Sequence, residues 1–147
     1  MEPQKDFKEL LKLFNKHKVE YVIVGAYALA FHGCPRYTGD LDILVKPDLS
    51  NAKKILKAIK DFGFESVSLN VEDLSSQGKV IQLGVPPIRI DILTSITGVS
   101  WKQISSNRLA GKYGNIGVYF IGKDELITNK RSIGRHKDLA DLESISE

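Results

Sequence analysis

The chain has 147 residues, a length typical of one domain, and we take residues 1–147 as that single domain. Hydrophobic residues make up 42% and charged residues 27%, as in ordinary soluble globular proteins, and a net charge of +3 does not by itself argue for a nucleic-acid partner. The longest apolar run, 21–31, is far shorter than the roughly 20 residues that a membrane-crossing helix needs. With no secretory leader pattern and one cysteine, Cys34, we expect a cytoplasmic protein without membrane contact.

Helical and strand-like patterns alternate along the chain and predict an α/β fold. In the first long central helix, Ala52, Leu56 and Ile59 form the expected buried stripe. The predicted elements are a helix over 6–16, a strand over 21–24, a short helix over 26–32, a strand over 41–45, a helix from 48 or 50 to about 62, a short helix over 71–76, strands over 80–83 and 88–93 joined as a hairpin, a helical turn over 101–105, a hairpin of strands over 108–113 and 116–121, and two closing helices over 123–132 and 137–145.

Two carboxylates stand two residues apart at the start of the strand predicted over 41–45. Side chains two apart on a β-strand point to the same face, so Asp40 and Asp42 would face one spot while Leu41 and Ile43 enter the core. Two acidic groups aimed at one place repel each other unless a cation lies between them, and carboxylate oxygens suit a hard divalent ion. The sequence therefore predicts a metal site for Mg²⁺, with Mn²⁺ as a substitute.

A phosphate-binding turn is predicted upstream of this acidic pair. The strand over 21–24 runs through Gly25 and Ala26 into an alanine-rich helix, whose start offers free backbone N–H groups and the positive end of the helix dipole. Arg36 and Thr38 continue the alternation of the acidic pair and would line the same edge. This combination indicates a place for an anionic ligand beside a metal ion.

A third carboxylate lies on the strand predicted over 88–93. Arg89 and Asp91 alternate there with isoleucines, so Asp91 would lie on the face opposite the core. A phosphate-binding turn, an acidic pair and a third acid are together typical of phosphoryl-group chemistry. The alternative for Asp91 is a simple ion pair with Arg89.

The order of these motifs resembles the DNA polymerase beta-like nucleotidyltransferase superfamily, over about residues 19–142. Its pattern is a hydrophobic residue before Gly and then Gly or Ser, an Asp-x-Asp string, and later a lone acid on a strand. Here these read Val24-Gly25-Ala26, Arg36-x-Thr38-x-Asp40-x-Asp42 and Ile90-Asp91-Ile92. The resemblance is closer to the abortive-infection, toxin-type and uncharacterised branch, whose C-terminal Lys and Arg-x-Lys-Asp string correspond to Lys130 and Arg135-His136-Lys137-Asp138. Ala26 departs from the pattern, which has Gly or Ser at this position. Alanine keeps the backbone N–H that can bind phosphate, but it lacks the serine hydroxyl.

The resemblance implies a twisted mixed sheet flanked by helices, with the C-terminal helices closing the site of a Mg²⁺-dependent nucleotidyltransferase. Such an enzyme moves an NMP from an NTP donor to a hydroxyl acceptor, which stays open between RNA or tRNA, a protein and a small molecule. Because a domain of this size leaves little room for a dedicated acceptor domain, either the acceptor binds beside the C-terminal helices, or a partner protein or a second subunit in a homodimer completes the site. By this resemblance, Asp40, Asp42 and Asp91 are the catalytic and metal-holding residues, and Gly25, Ala26, Arg36, Thr38 and Lys130 bind the nucleotide.

The C-terminal basic residues have two interpretations each. Lys130 either reaches the triphosphate from the rim of the core or is a surface lysine whose ammonium extends into water. Asp138 either takes part in catalysis or stabilises the dipole of the last helix. Arg135 and Lys137 either contact phosphate or form a solvated basic turn. Lys130 is predicted to share one helix face with Leu126, Ile127 and Ile133.

Two other classes of protein remain open. The first is a catalytically degenerate nucleotidyltransferase fold that acts as a binding partner or antitoxin-like subunit, and Ala26 is its support in the sequence. The second is an RNA-binding accessory protein, which would bind RNA without nucleotide and with strong salt dependence. Few aromatic residues accompany the lysines, so this second class has the weaker support.

Overall fold

The computed structural model describes residues 4–34, 39–63, 69–85 and 88–146. Predicted and observed elements correspond one to one, with ends that differ by a few residues at most. In chain order they are α1 (Lys5–Lys16), β1 (Tyr21–Val24), α2 (Gly25–Phe31), β2 (Asp40–Val45), α3 (Leu49–Asp61), α4 (Val71–Ser75), β3 (Val80–Val85), β4 (Ile88–Leu93), α5 (Trp101–Ser106), β5 (Leu109–Tyr113), β6 (Ile116–Phe120), α6 (Lys123–Ile133) and α7 (His136–Ser146).

The strands form one six-stranded mixed sheet in the order β3-β4-β2-β1-β6-β5. Its two outer pairs, β3 with β4 and β5 with β6, are the antiparallel hairpins that the sequence predicted. β1 is antiparallel to β2, while β2 pairs with β4 and β1 with β6 in parallel. The acidic strand β2 therefore lies inside the sheet, where both neighbours fix its register.

Alternation along the central strands separates an apolar face from a polar one. Leu41 and Ile43 on β2 are completely buried. The apolar stripe of α1 packs into the same core and is also completely buried at Phe7, Leu10, Leu11 and Phe14. Phe7 of that stripe contacts the rings of Tyr27 and Tyr113, which ties α1 to α2 and to the outer hairpin. The carboxylates that alternate with the buried residues of β2 are left on the opposite face of the sheet.

The long helix α3 begins at an N-cap, Asp48, whose side chain accepts a hydrogen bond from the Asn51 backbone N–H. Its buried stripe differs from the predicted one. Ile55 and Ala58 join Ala52 and Ile59 in the core, whereas Leu56 is only half buried. Successive helix residues turn by about 100°, so Ile55 takes the inner position and Leu56 lies at the edge of the contact.

The two C-terminal helices pack against each other after a glycine turn. Gly134 ends α6 in the left-handed region, at φ 70°, and its N–H donates to the Lys130 carbonyl oxygen. Within the described ranges, no helix is both long enough and apolar enough to pass through a bilayer.

Candidate active site

The register of β2 places two carboxylates side by side on the polar face. Asp42 lies opposite Val24 of β1 on one side and opposite Asp91 of β4 on the other. Neighbouring strands are about 4.8 Å apart, and residues paired across them share a face. The sheet therefore brings together Asp42 and Asp91, which are far apart in the sequence, as the motifs predicted. Asp40 is paired across the same ladder with Arg89, one step further along.

Gly25 makes room for the Asp42 carboxylate. It follows β1 directly, begins α2 and has a φ of 70°, in the left-handed region that favours glycine. A Cβ placed on Gly25 would overlap Asp42 Oδ2 and would lie 3.0 Å from its Cγ. The glycine of the motif is thus required by this carboxylate as well as by the backbone turn. Ala26 is buried in the first turn of α2, and its backbone N–H remains a predicted phosphate donor.

Gly25→Ala is expected to destabilise the protein by about 1–3 kcal/mol, because the substitution adds left-handed strain to a clash with a neighbouring carboxylate. Asp42 must then turn away from the helix start, so nucleotide binding should weaken as well. Urea denaturation measures the first effect and calorimetric nucleotide titration the second. Gly63→Ala is the matched control, since Gly63 also has a positive φ (91°) but no atom within 4 Å of the added Cβ. An equal loss of nucleotide binding in both variants would contradict this role for Gly25.

Among the described residues, Arg89 forms ion pairs with two of the three acids. Its Nε lies 2.9 Å from Asp91 Oδ1, and its Nη2 donates to Asp91 Oδ2 at 3.1 Å and to Asp40 Oδ2 at 3.2 Å. The ion pair that was the alternative for Asp91 is therefore present in the protein. Within the described residues, no three His, Cys, Asp or Glu side chains converge closely enough to hold a metal ion. The metal centre of Asp40, Asp42 and Asp91 therefore stays a prediction. Two of its three carboxylates, Asp40 and Asp91, are ion-paired with Arg89 instead.

Asp42 carries the electrostatic cost of this arrangement. Burial raises the pKa of its carboxyl from the usual 3.8 to about 6, and the charges of Asp91 and Asp40 add to the effect. The cations Lys130 and Arg89 act in the opposite direction but do not cancel it. A raised carboxyl pKa in a cleft is typical of functional sites, since an added cation would relieve the repulsion.

A buried ion-pair cluster joins α6 to α7 behind the carboxylates. Lys130 is only 5% exposed, and its Nζ lies 3.2 Å from both Asp138 Oδ1 and Asp141 Oδ2. Lys130 is therefore not a surface lysine that extends into water. Asp138, completely buried, also accepts from Arg135 Nε at 2.6 Å and from the Arg135 backbone N–H at 3.2 Å. Burial alone would raise the pKa of Asp138, but the hydrogen bonds from Arg135 and Lys130 hold it below its usual value.

The contacts of these residues bear on the two interpretations that the sequence left open for each C-terminal charged residue. Asp138 is three residues past Arg135, the residue before α7, and its carboxylate accepts a hydrogen bond from the Arg135 N–H at the start of that helix. The same carboxylate also holds Lys130 and the Arg135 guanidinium. Arg135 is not a free solvated residue, although 54% of its side chain is exposed. Lys137 is exposed.

Asp42, Lys130 and Arg135 line a common cavity of about 240 Å³. It unites Asp42 and Gly25 with Lys130 and Arg135, which come from opposite ends of the chain. The segment after β4 forms the remaining wall. The residues that line it are Val24, Gly25, Asp42, Leu93, Ser95, Ile96, Thr97, Asn129, Lys130, Ile133 and Arg135.

The sequence missed several of these positions. On α6 the buried residues are Leu126, Asn129 and Lys130, whereas Ile127 is half buried and Ile133 is 36% exposed at the cavity. Of the predicted face, Leu126 and Lys130 are thus buried, whereas Ile133 is exposed and the polar residue Asn129 is buried in its place. A signal for Asp141 was present, since its spacing of three from Asp138 puts both acids on one helix face. Arg36 and Thr38, predicted to bind phosphate, lie outside the described residues.

Three solved structures resemble the protein along nearly its whole length. A protein from Thermotoga maritima that is assigned as a nucleotidyltransferase has a TM-score of 0.63 and 15% identity, over 94% of this chain and 88% of its own. The lincosamide antibiotic adenylyltransferase LnuA, solved with lincomycin bound, has a TM-score of 0.62 and 15% identity, over 99% and 98%. An antigenic nucleotidyltransferase-like protein from Paracoccidioides brasiliensis has a TM-score of 0.61 and 17% identity, over 99% and 76%.

No protein-family model matches the sequence, and neither does any curated protein. At identities of 15–17% the structural likeness concerns the fold. The mixed sheet, its flanking helices and the placement of the motif residues agree with it. The chain has the nucleotidyltransferase fold that the order of its motifs predicted.

Proposed function

We propose that the protein is a Mg²⁺-dependent nucleotidyltransferase that moves an NMP from an NTP to a hydroxyl acceptor. One observation supports this above the others: a single cavity contains Asp42 beside the glycine turn, with Lys130 and Arg135 opposite. Anionic and cationic groups at one cavity suit a ligand that combines a metal ion with phosphates. The fold shared with nucleotidyltransferases makes nucleotidyl transfer the reaction to which this combination belongs.

The carboxylates fit a divalent ion in their chemistry, because hard divalent ions prefer oxygen ligands. Asp42 and Asp91 would hold it, assisted by Asp40, because they offer oxygen ligands from adjacent strands of a rigid sheet. Asp91 Oδ1 is buried and ion-paired with Arg89, but it accepts no hydrogen bond from the described residues. When bound, Mg²⁺ would supply charge neutralisation on the phosphates and would favour deprotonation of the acceptor hydroxyl.

The remaining residues bind and orient the nucleotide. In the proposed reaction the acceptor oxygen forms a bond to the α-phosphorus, the bond to the β-phosphate bridging oxygen breaks, and pyrophosphate leaves. Asp91 would either help to hold the ion that favours loss of the hydroxyl proton or take that proton itself. Arg135 and the start of α2 at Gly25 and Ala26 would hold phosphate oxygens, with Lys130 adding positive charge at the cavity wall. Positioning and charge supply most of what such a transfer needs from the protein.

The degenerate binding module remains the second candidate, and Arg89 is the observation that favours it. Its guanidinium already neutralises Asp40 and Asp91, which is the role that the ion would have. If these ion pairs persist with nucleotide, the protein would bind partners without catalysis. In the catalytic proposal Arg89 instead turns from the acids to the substrate phosphates.

For the acceptor, we propose a small hydroxyl compound. LnuA is a lincosamide antibiotic adenylyltransferase, and this chain covers 98% of its length. A chain of about this size therefore serves an adenylyltransferase of this fold that acts on a small molecule. RNA or protein acceptors would call for a partner or a second copy to extend the surface beside α6 and α7.

Calorimetric titration of the four NTPs, with and without Mg²⁺, tests the proposal. We expect one or more NTPs to bind with a dissociation constant between about 1 μM and 1 mM, and only with Mg²⁺. Arg89→Gln is expected to weaken this binding without abolishing the requirement for Mg²⁺. The absence of binding by any NTP would overturn the catalytic proposal and favour the degenerate module. NTP binding that is equally tight with and without Mg²⁺ would contradict the proposed role of the metal ion.

A further inference from the structure

The protein buries two asparagines whose side chains are used differently. Asn51 is 1% exposed and Asn129 is 7% exposed, so most of each side chain is out of contact with bulk water. A buried amide without partners weakens the fold, and its donors and acceptor therefore need to be accounted for. The comparison of the two shows which one is structural.

Asn51 is satisfied by backbone groups on both sides of its amide. Its Oδ1 accepts from the Glu20 N–H at 2.8 Å, and its Nδ2 donates to the Glu20 and Lys46 carbonyl oxygens, both at 3.0 Å. These bonds join the start of α3 to the segments that flank β1 and β2. The role of Asn51 is complete within the protein.

Asn129 has only half of such a set. Its Nδ2 donates to the Thr97 carbonyl oxygen at 2.9 Å, and this bond fixes which end of the amide is the donor. Its Oδ1 accepts no hydrogen bond from any residue in the described ranges, and the side chain lines the cavity that contains Asp42. The side chain of Asn129 is thus largely buried at the cavity wall, and its acceptor oxygen has no partner among the described residues.

The wall around Asn129 is fitted together in advance. Gly98, at φ 83°, comes so close to α6 that an added Cβ would lie 2.7 Å from Ser132 Cβ. Ile96 and Val99 form a β-bridge that closes the turn between them. The segment after β4 and helix α6 are therefore held in contact on both sides of the amide, and binding would need little rearrangement.

We propose that Asn129 Oδ1 accepts a hydrogen bond from the nucleoside part of the bound NTP, either from a sugar hydroxyl or from an exocyclic amino group of the base. This inference rests on the proposed function and adds a specificity-determining residue to it. An amide oxygen repels phosphate oxygens, so the partner must be a donor and must lie away from the triphosphate. Ile96 and Ile133 line the same cavity and give this end the apolar surface that a base or sugar prefers.

The test compares nucleotides that lack one donor at a time. Calorimetry with Mg²⁺ would measure the preferred NTP, its 2′-deoxy and 3′-deoxy forms, the form without the exocyclic amino group, and inorganic tripolyphosphate. We expect one of these three nucleotide analogues to bind the wild type about tenfold more weakly than the parent NTP, since the amide oxygen is then left unpaired. This part of the experiment needs no variant protein.

The second part of the experiment repeats these titrations with the Asn129→Ala variant. The substitution should weaken binding of the parent NTP about tenfold and leave binding of tripolyphosphate unchanged. The variant should bind the sensitive analogue as tightly as the wild type does. Asn51→Ala is the matched control, because it removes a buried amide at a distance from the cavity and should change stability but not nucleotide selectivity. Equal weakening of the NTP and tripolyphosphate, or no weakening of either, would overturn the assignment. Failure of the wild type to bind any NTP would instead remove the proposed function, and this inference with it.

Discussion

Asp42→Asn is expected to lower nucleotidyl transfer by at least about 1000-fold, because it removes the charge of the central carboxylate of the proposed metal site. The fold should survive, since Asp42 faces the cavity while its neighbours in β2 form the core. Release of pyrophosphate in the presence of Mg²⁺ and the preferred NTP measures the effect. Asp6→Asn, a substitution at an exposed position in the first turn of α1, is the control and should retain full activity.

The same substitution should stabilise the metal-free protein at neutral pH. Burial and the charges of Asp91 and Asp40 raise the pKa of Asp42 to about 6. A carboxyl whose pKa rises on folding opposes the folded state wherever it is ionised, so this cost grows as the pH increases from about 4 to above 6. About two pKa units set an upper limit of about 3 kcal/mol, and the partial exposure of Asp42 reduces the expected gain to about 1–2 kcal/mol.

Urea denaturation in the presence of a chelator, at about pH 4 and about pH 7.5, measures that difference. The variant should be more stable than the wild type at the higher pH. The difference should be small at the lower pH, where the folded carboxyl is neutral and the unfolded one is about half protonated. Added Mg²⁺ should raise the stability of the wild type more than that of the variant. A folded variant with full activity, or one destabilised at the higher pH, would contradict the role given to Asp42.

Asp138→Asn is expected to destabilise the protein by about 2–4 kcal/mol and to lower its Tm by roughly 10 °C. Asp138 is completely buried and pairs with both Lys130 and Arg135, so its loss leaves the buried Lys130 ammonium with Asp141 as its one remaining described carboxylate partner. Removing one member of a buried ion pair is costly, because the other charge stays out of water. Thermal and urea denaturation measure the effect.

The pH dependence of this loss gives a further check. The hydrogen bonds from Arg135 and Lys130 hold the pKa of Asp138 below its usual value despite burial. An acid of this kind stabilises the fold fully above its unfolded pKa of about 4 and progressively less as the pH falls below it. The deficit of Asp138→Asn should therefore be constant near neutrality and shrink in acid.

Asp61→Asn is the matched control for Asp138→Asn. It removes an acid that pairs with His17 at 2.7 Å, but the side chain of Asp61 is 43% exposed. Exposed pairs contribute about 0–1 kcal/mol, so this variant should lose much less stability. Equal losses of stability in the two variants would show that the contribution of the α6–α7 ion pairs to stability does not depend on their burial.

The sequence by itself determined the elements of the fold and the identity of its acids. Alternation placed Leu41 and Ile43 in the core, and it thereby placed Asp40 and Asp42 on the other face, because the period of a strand leaves no other arrangement. Gly25 was recognisable for a similar reason, since a strand that turns directly into a helix needs a residue that tolerates a positive φ. These features depend on neighbours in the chain.

Only the tertiary structure decided what each charged group contacts. The register of β2 against β4 puts Asp42 beside Asp91 and gives Asp40 to Arg89, and that register depends on pairing between segments about 50 residues apart. The burial of Lys130 between Asp138 and Asp141, and the free acceptor of Asn129, arise from the packing of α6 against α7 and against the segment after β4. Helical periodicity in the sequence predicted an apolar stripe on α6. It cannot show that a buried charge on one helix has its partners on another helix.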